Sequence, residues 1–78
     1  MSQNLEQNLS QYHIFHAVAQ TGNISKAARK LYISQPAISK AIRKLEDNLG
    51  TALFTRNSRG VQLTEEGQIV YHHTCSAF

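Results

Sequence analysis

Within "SQPAISKAIRKLE", residues 34 to 46, polar and basic side chains recur at the spacing of one helix face. With Gln35 as zero and about 100° per residue, Gln35, Pro36, Ser39, Lys40 and Arg43 share an arc of about 140°. Those residue types suit the edges of base pairs. A Gln amide can bond adenine N6 and N7 together, and an Arg or Lys can bond guanine O6 and N7. Ser39 is short enough to let the backbone come close, and Pro36 offers an apolar edge to a thymine methyl. No acid interrupts this stripe before Glu46 and Asp47, more than two turns on. The stripe as a whole, Gln35, Pro36, Ser39, Lys40 and Arg43, therefore has the chemistry of a base reader.

A reading stripe needs a support, and the same helix supplies one. Ile38, Ala41, Ile42, Leu45 and Leu49 fall within a separate arc of about 100°, which reads as a core stripe. Ser34 stands as its N-cap, and Pro36 lies in the first turn, where a missing N–H costs nothing. Gly50 should stop the helix.

Upstream, "LSQYHIFHAVAQ" places Tyr12, Phe15, Val18 and Ala19 at helical spacing, and Gly22 with Asn23 ends that helix. Ser25 stands where the N-cap of the next helix, "KAARKLY", belongs. It turns Ala27, Ala28 and Leu31 inward, and the small alanines let a neighbouring helix approach closely. Only a very short turn separates this helix from the one that starts at Ser34. Downstream the period changes. "TALFTR" and "GVQLT" are short and β-prone, with turn-forming "NSRG" between them, so a small hairpin is expected. Thr64 is a further cap, and Glu65 and Glu66 suit the positive end of the helix they open. The expected fold is mainly α: a winged helix-turn-helix of three helices, a hairpin wing and the start of a linker helix. Residues 1–8 are expected as a flexible tail, 9–63 as the winged helix-turn-helix and 64–78 as the start of the linker helix.

Charge is segregated in the same way. The 78 residues carry 8 Lys and Arg against 5 Asp and Glu, a net charge of +3. Lys26, Arg29, Lys30, Lys40, Arg43 and Lys44 follow one another with no acid among them, and Arg56 and Arg59 come after. Such segregation points to a polyanionic partner. Lys26, Arg29, Lys30, Arg43, Arg56 and Arg59 are the candidates for attraction to a phosphate backbone, aided by the free N–H groups at the helix start near Ser34.

Other chemistry finds little support. Cys75 is the lone cysteine, giving neither a disulfide nor a metal quartet. His13 with His16, and His72 with His73, lie on different elements, and structural or solvated histidines are the reading they favour. Tyr32, in the short turn, either meets phosphate through its hydroxyl or packs on the helix pair. No nucleophile–base pair and no phosphate-cradling glycine loop is visible, so no enzymatic activity and no cofactor are expected. No apolar run has the length of a membrane span, and the polar start lacks signal-peptide order, so a cytoplasmic protein is expected.

The stretch "FHAVAQTGNISKAARKLYISQPAISKAIRKLEDNLGTALFTRNSRGVQLTEEG", residues 15 to 67, closely resembles the DNA-binding domain of LysR-type transcriptional regulators. "SQPAIS" followed by "IRKLE", "LG", "LF" and "LTEEG" at these spacings carries the resemblance. It implies a winged helix-turn-helix that binds double-stranded DNA as a dimer. Gln35, Pro36, Ser39 and Lys40 match positions facing the major groove, with the recognition helix beginning at Ser34. Ser25 matches a backbone contact, and Arg56 and Arg59 match wing positions near flanking phosphates or the minor groove. Residues from Thr64 match the linker helix that pairs two subunits. A small-molecule effector would act only through a further domain that these residues do not include. Two alternatives stay open: a winged helix that binds another protein, and a metal-sensing regulator.

Overall fold

A computed structural model describes the backbone of residues 2–77 and the side chains of residues 9–77. The elements run α1 (Ser2–Thr21), α2 (Ile24–Leu31), α3 (Gln35–Leu49), β1 (Phe54–Asn57), β2 (Gly60–Leu63) and α4 (Glu65–Ala77). This is the expected winged helix-turn-helix, mainly helical. One boundary differs clearly: α1 begins at Ser2, so residues 2–8, expected as a tail, are its first turns.

Each junction has a local cause. Gly22 closes α1 with φ +66° and donates its N–H to Val18 O at 2.8 Å. The N-cap of α2 is Asn23, not Ser25. Asn23 is extended, and its Oδ1 accepts the Lys26 N–H at 3.0 Å, which leaves Ser25 inside the first turn. Ser34 caps α3 as expected, its Oγ accepting the Ala37 N–H at 3.2 Å. Gly50 ends α3 at φ +71°. Thr64 ties α4 to the chain before the hairpin: its Oγ1 accepts the Gly67 N–H and donates to Ala52 O, while its N–H reaches Leu53 O.

Two apolar clusters share the interior. Ala17, Val18, Ala27, Ala28, Ile38 and Ile42 form the first, where α1, α2 and α3 meet. The two alanines of α2 let its backbone lie close to its neighbours. Phe15, Leu45 and Leu53 form the second, with Tyr12, Phe54, Leu63, Val70 and Tyr71 packed around them. The Phe15 and Phe54 rings sit 5.2 Å apart, tilted at 47°, which joins α1 to the wing. Leu49 departs from the expected core stripe and is 42% exposed. The stripe ends at Leu45, because the chain turns at Gly50 and sends Leu53 back into the space beneath.

The wing is an antiparallel pair in which Phe54 faces Leu63, Arg56 faces Val61 and Asn57 faces Gly60. Ser58 and Arg59 form the turn, and Asn57 Oδ1 accepts the Arg59 N–H at 2.9 Å. The hairpin rests on the α1–α2 corner: Val61 donates its N–H to Gly22 O at 3.3 Å. A side chain at Gly60, whose φ is +131°, would press into that same oxygen.

Candidate nucleic-acid interface

The exposed arc of α3 is real. Gln35, Pro36, Lys40, Arg43 and Lys44 are exposed and Ser39 is half-exposed, while Ile38, Ile42 and Leu45 on the opposite side are buried. The reading candidates thus stand on a helix anchored by its apolar face. Pro36 lacks an N–H and Ser34 satisfies that of Ala37, so the first turn of α3 is stable with its side chains pointing outward.

The structure gathers several of the candidates around one feature. Ser25, Ala28 and Arg29 of α2, Tyr32 and Ile33 of the turn, and Ser34 and Gln35 of α3 line an open hollow of about 800 Å³. Hydroxyl, guanidinium and amide groups from the proposed backbone and base sets therefore converge at the start of α3. Lys26 is exposed on the first turn of α2, and Arg56 and Arg59 are exposed on the wing. Lys30 stands apart from this group. It is exposed, but its Nζ donates to Gln20 Oε1 of α1 at 3.0 Å.

Two site features escaped the sequence. The first is Glu46. By angle it belongs to the polar arc, where a carboxylate would repel a polyanion. Instead its Oε2 accepts the backbone N–H of Leu53 at 2.7 Å and of Phe54 at 3.3 Å, so its charge is spent on the start of the wing. The second is the backbone conformation of Tyr32, a residue already singled out as a phosphate contact or a packing group. Tyr32 caps α2 in the left-handed region, at φ 59° and ψ 39°, and is 94% exposed. Packing on the helix pair, one of the two expected roles, does not occur. Ile33 takes that place in the core.

The histidines divide as their environments require. His13, His72 and His73 are exposed. His16 is buried between α1 and α4, where its Nδ1 lies 2.7 Å from Thr74 Oγ1 and its ring stacks on Tyr71 at 5.0 Å. Thr74 donates its own hydroxyl proton to Tyr71 O at 2.8 Å, so it must accept from His16. The hydrogen-bond pattern thus assigns the proton to Nδ1. Burial holds the imidazole below its ordinary value, helped by the charges of Lys30 and His13. Among the described residues, no three His, Cys, Asp or Glu side chains come together as a metal site.

Residues 9–68 match the sequence pattern described as "Bacterial regulatory helix-turn-helix protein, lysR family". The chain belongs to the LysR family. This LysR-family chain is 54% identical over 57 residues to the HTH-type transcriptional regulator ClcR of Pseudomonas putida, covering 73% of the chain and 19% of that protein. It is 43% identical over 67 residues to the RuBisCO operon transcriptional regulator of Allochromatium vinosum, covering 86% of the chain and 22% of that protein. It spans about a fifth of the length of these two relatives, both of them transcriptional regulators. Among solved structures, a BenM_DBD/catB site 1 DNA complex superposes with a TM-score of 0.85 at 39% identity, over 88% of this chain and 77% of that one. A CbnR_DBD-DNA complex superposes with a TM-score of 0.83 at 37% identity, over 87% of this chain and 78% of that one. No helix among the described residues is long and apolar enough to cross a membrane.

Proposed function

We propose that this chain is the DNA-reading part of a bacterial transcription regulator, and that it binds double-stranded DNA with sequence preference. The observation that carries this reading is the exposure of Gln35, Lys40 and Arg43 along one side of α3, opposite buried Ile38, Ile42 and Leu45. Relatives of the same fold, superposing over most of this chain, have been solved as DNA complexes. In the proposed complex α3 enters the major groove. Gln35, Pro36, Ser39 and Lys40 meet base edges there. Ser25, Lys26, Arg29, Ser34 and Arg43 hold the flanking phosphates. Arg56 and Arg59 on the wing reach the neighbouring backbone or the minor groove. Lys30, which gives one of its three ammonium donors to Gln20, joins them with another. Binding rather than catalysis is the activity, and the cytoplasm is where the protein works.

The protein acts as a homodimer through α4. Its support is an apolar groove of about 340 Å³ between α1 and α4, lined by Leu9, Tyr12, Val70, His73, Thr74 and Ala77. Leu9 in its wall is 52% exposed and Ile69 on α4 is 59% exposed, apolar surface that pairing would cover. Two copies would then read half-sites about one helical turn apart, or a multiple of that. A small-molecule effector would act through a part of the protein outside the winged helix.

The test is selection of bound duplexes from a random pool, followed by titration of the winner and a scrambled duplex at two salt concentrations. An enriched sequence, bound more tightly than the scramble, is the expected result. Weak binding with no enrichment would instead fit a winged helix that contacts another protein. Added zinc, with and without a chelator, is expected to leave the affinity unchanged.

A further inference from the structure

We infer that Tyr32 is a DNA-backbone contact, its phenol hydroxyl donating to a phosphate oxygen at the edge of the hollow beside Gln35. The inference rests on the DNA binding proposed above, and it starts from a backbone anomaly.

Among the described residues Tyr32 is the one non-glycine with positive φ. The position just past a helix, in the left-handed region, favours Gly and then Asn, whose side chains tolerate it. A bulky aromatic residue there is an outlier. Packing does not explain the choice, because the side chain is 94% exposed and Ile33 fills the core beside it. The tyrosine therefore gains nothing from its own fold, and unexplained strain of this kind points toward a ligand.

The turn also fixes the backbone from which the ring projects. The Tyr32 N–H donates to the Arg29 and Ala28 carbonyls, and the Ile33 N–H donates to Ala28 O at 3.1 Å. With the backbone pinned at both residues, Tyr32 lines the hollow together with Ser25, Arg29, Ser34 and Gln35. Those neighbours supply hydroxyl and guanidinium donors but no carboxylate, which suits an anionic oxygen. A phenol carries an apolar body and a polar tip, fit for a deoxyribose edge and its phosphate. Such a contact sets the height and register of α3 in the groove. It carries no base preference of its own.

The experiment compares the parent chain with Tyr32→Phe and Tyr32→Asn on the selected duplex and its scramble, across a salt series. Tyr32→Phe removes one hydroxyl and keeps the backbone. It should weaken both duplexes by the same factor, about five- to tenfold, as loss of one hydrogen bond does. The salt slope should stay as in the parent, because a neutral hydroxyl releases no counterion. Tyr32→Asn should raise the melting temperature while lowering affinity, opposite signs that a purely structural residue does not give. A single methylphosphonate at the contacted step should erase the difference between Tyr and Phe. Parent-like affinity in both variants overturns the inference. So does a loss confined to the selected duplex, which would make Tyr32 a base reader. A parent that binds both duplexes alike removes base reading yet leaves this comparison intact, and a parent that binds neither removes both proposals.

Discussion

Glu46 Oε2 accepts the Leu53 backbone N–H at 2.7 Å, and this bond ties the last turns of α3 to the residue that leads into the first strand of the wing. The same oxygen takes the Phe54 N–H at 3.3 Å. Leu53 is fully buried, so water does not readily replace the acceptor. Glu46→Ala is therefore expected to cost about 1–3 kcal/mol of stability, the price of leaving a buried donor unmet. Glu46→Gln keeps an oxygen in place and should lose less than half as much. Thermal or urea unfolding of the pair checks this, and equal losses would mean that charge, not the acceptor, matters.

Gly67 opens the second prediction. It is buried in the first turn of α4, and a Cβ there would run into the Leu53 carbonyl oxygen and crowd a Leu63 methyl. That oxygen is backbone and already accepts the Thr64 N–H at 2.9 Å, so it is poorly free to move. Gly67→Ala should destabilise by about 3 kcal/mol, at or beyond the usual upper end for overpacking, even though Ala is the better helix former. An alanine variant as stable as the parent would show that α4 can shift outward freely.

Much of this architecture was legible because its signals are local. The stop at Gly50, the caps at Ser34 and Thr64, and the hairpin around Ser58 and Arg59 each rest on chemistry within a few residues. The polar arc of α3 was legible for the same reason, since it needs only the helical period. What stayed hidden depends on distant partners. Ser25 and Asn23 are both good N-caps, and the choice fell on Asn23 because Gly22 ends α1 so that the next residue enters extended. Leu49 fits the core stripe by angle, yet nothing in its own helix announces that Leu53 returns to fill the space. Glu46 looked like an acid on a polyanion-facing arc, because its two N–H partners lie seven and eight residues on. Tyr32 was recognised as a turn residue, but its left-handed backbone follows from how α2 and α3 cross.

His16 gives the chain a dependence on pH. Its pKa lies below the ordinary value of 6.5 because burial, then Lys30 and His13, disfavour the imidazolium. The folded state thus keeps His16 neutral where the unfolded chain takes up a proton. His16's contribution to stability is complete well above pH 6.5 and is lost as pH falls through 6.5 toward the lowered value. The groups facing it from α4 are the Tyr71 ring and the Thr74 hydroxyl, neither of which is anionic in that range. His16→Asn retains a donor for Thr74 and removes the titration. It should flatten the decline while costing stability at high pH through the lost stacking on Tyr71. Melting temperatures at about pH 8 and about pH 5.5 decide it: an unchanged decline in the variant would place the titration elsewhere.

Gln35 and Arg59 separate the two halves of the proposed interface, because one offers a directional amide and the other a charge. Gln35 stands exposed on the first turn of α3, where two hydrogen bonds to one adenine edge are within its chemistry. Gln35→Ala should cost about 1–3 kcal/mol on the selected duplex and little on its scramble, leaving the salt slope as it was. Arg59 stands at the tip of the wing with its backbone fixed by Asn57. Arg59→Ala should weaken both duplexes alike and lower the slope of log K against log salt by about 0.9, one phosphate's worth of released counterion. The crossed result excludes the proposed division. A Gln35 variant that weakens both duplexes equally does not read bases, and an Arg59 variant with an unaltered slope leaves the wing outside the complex.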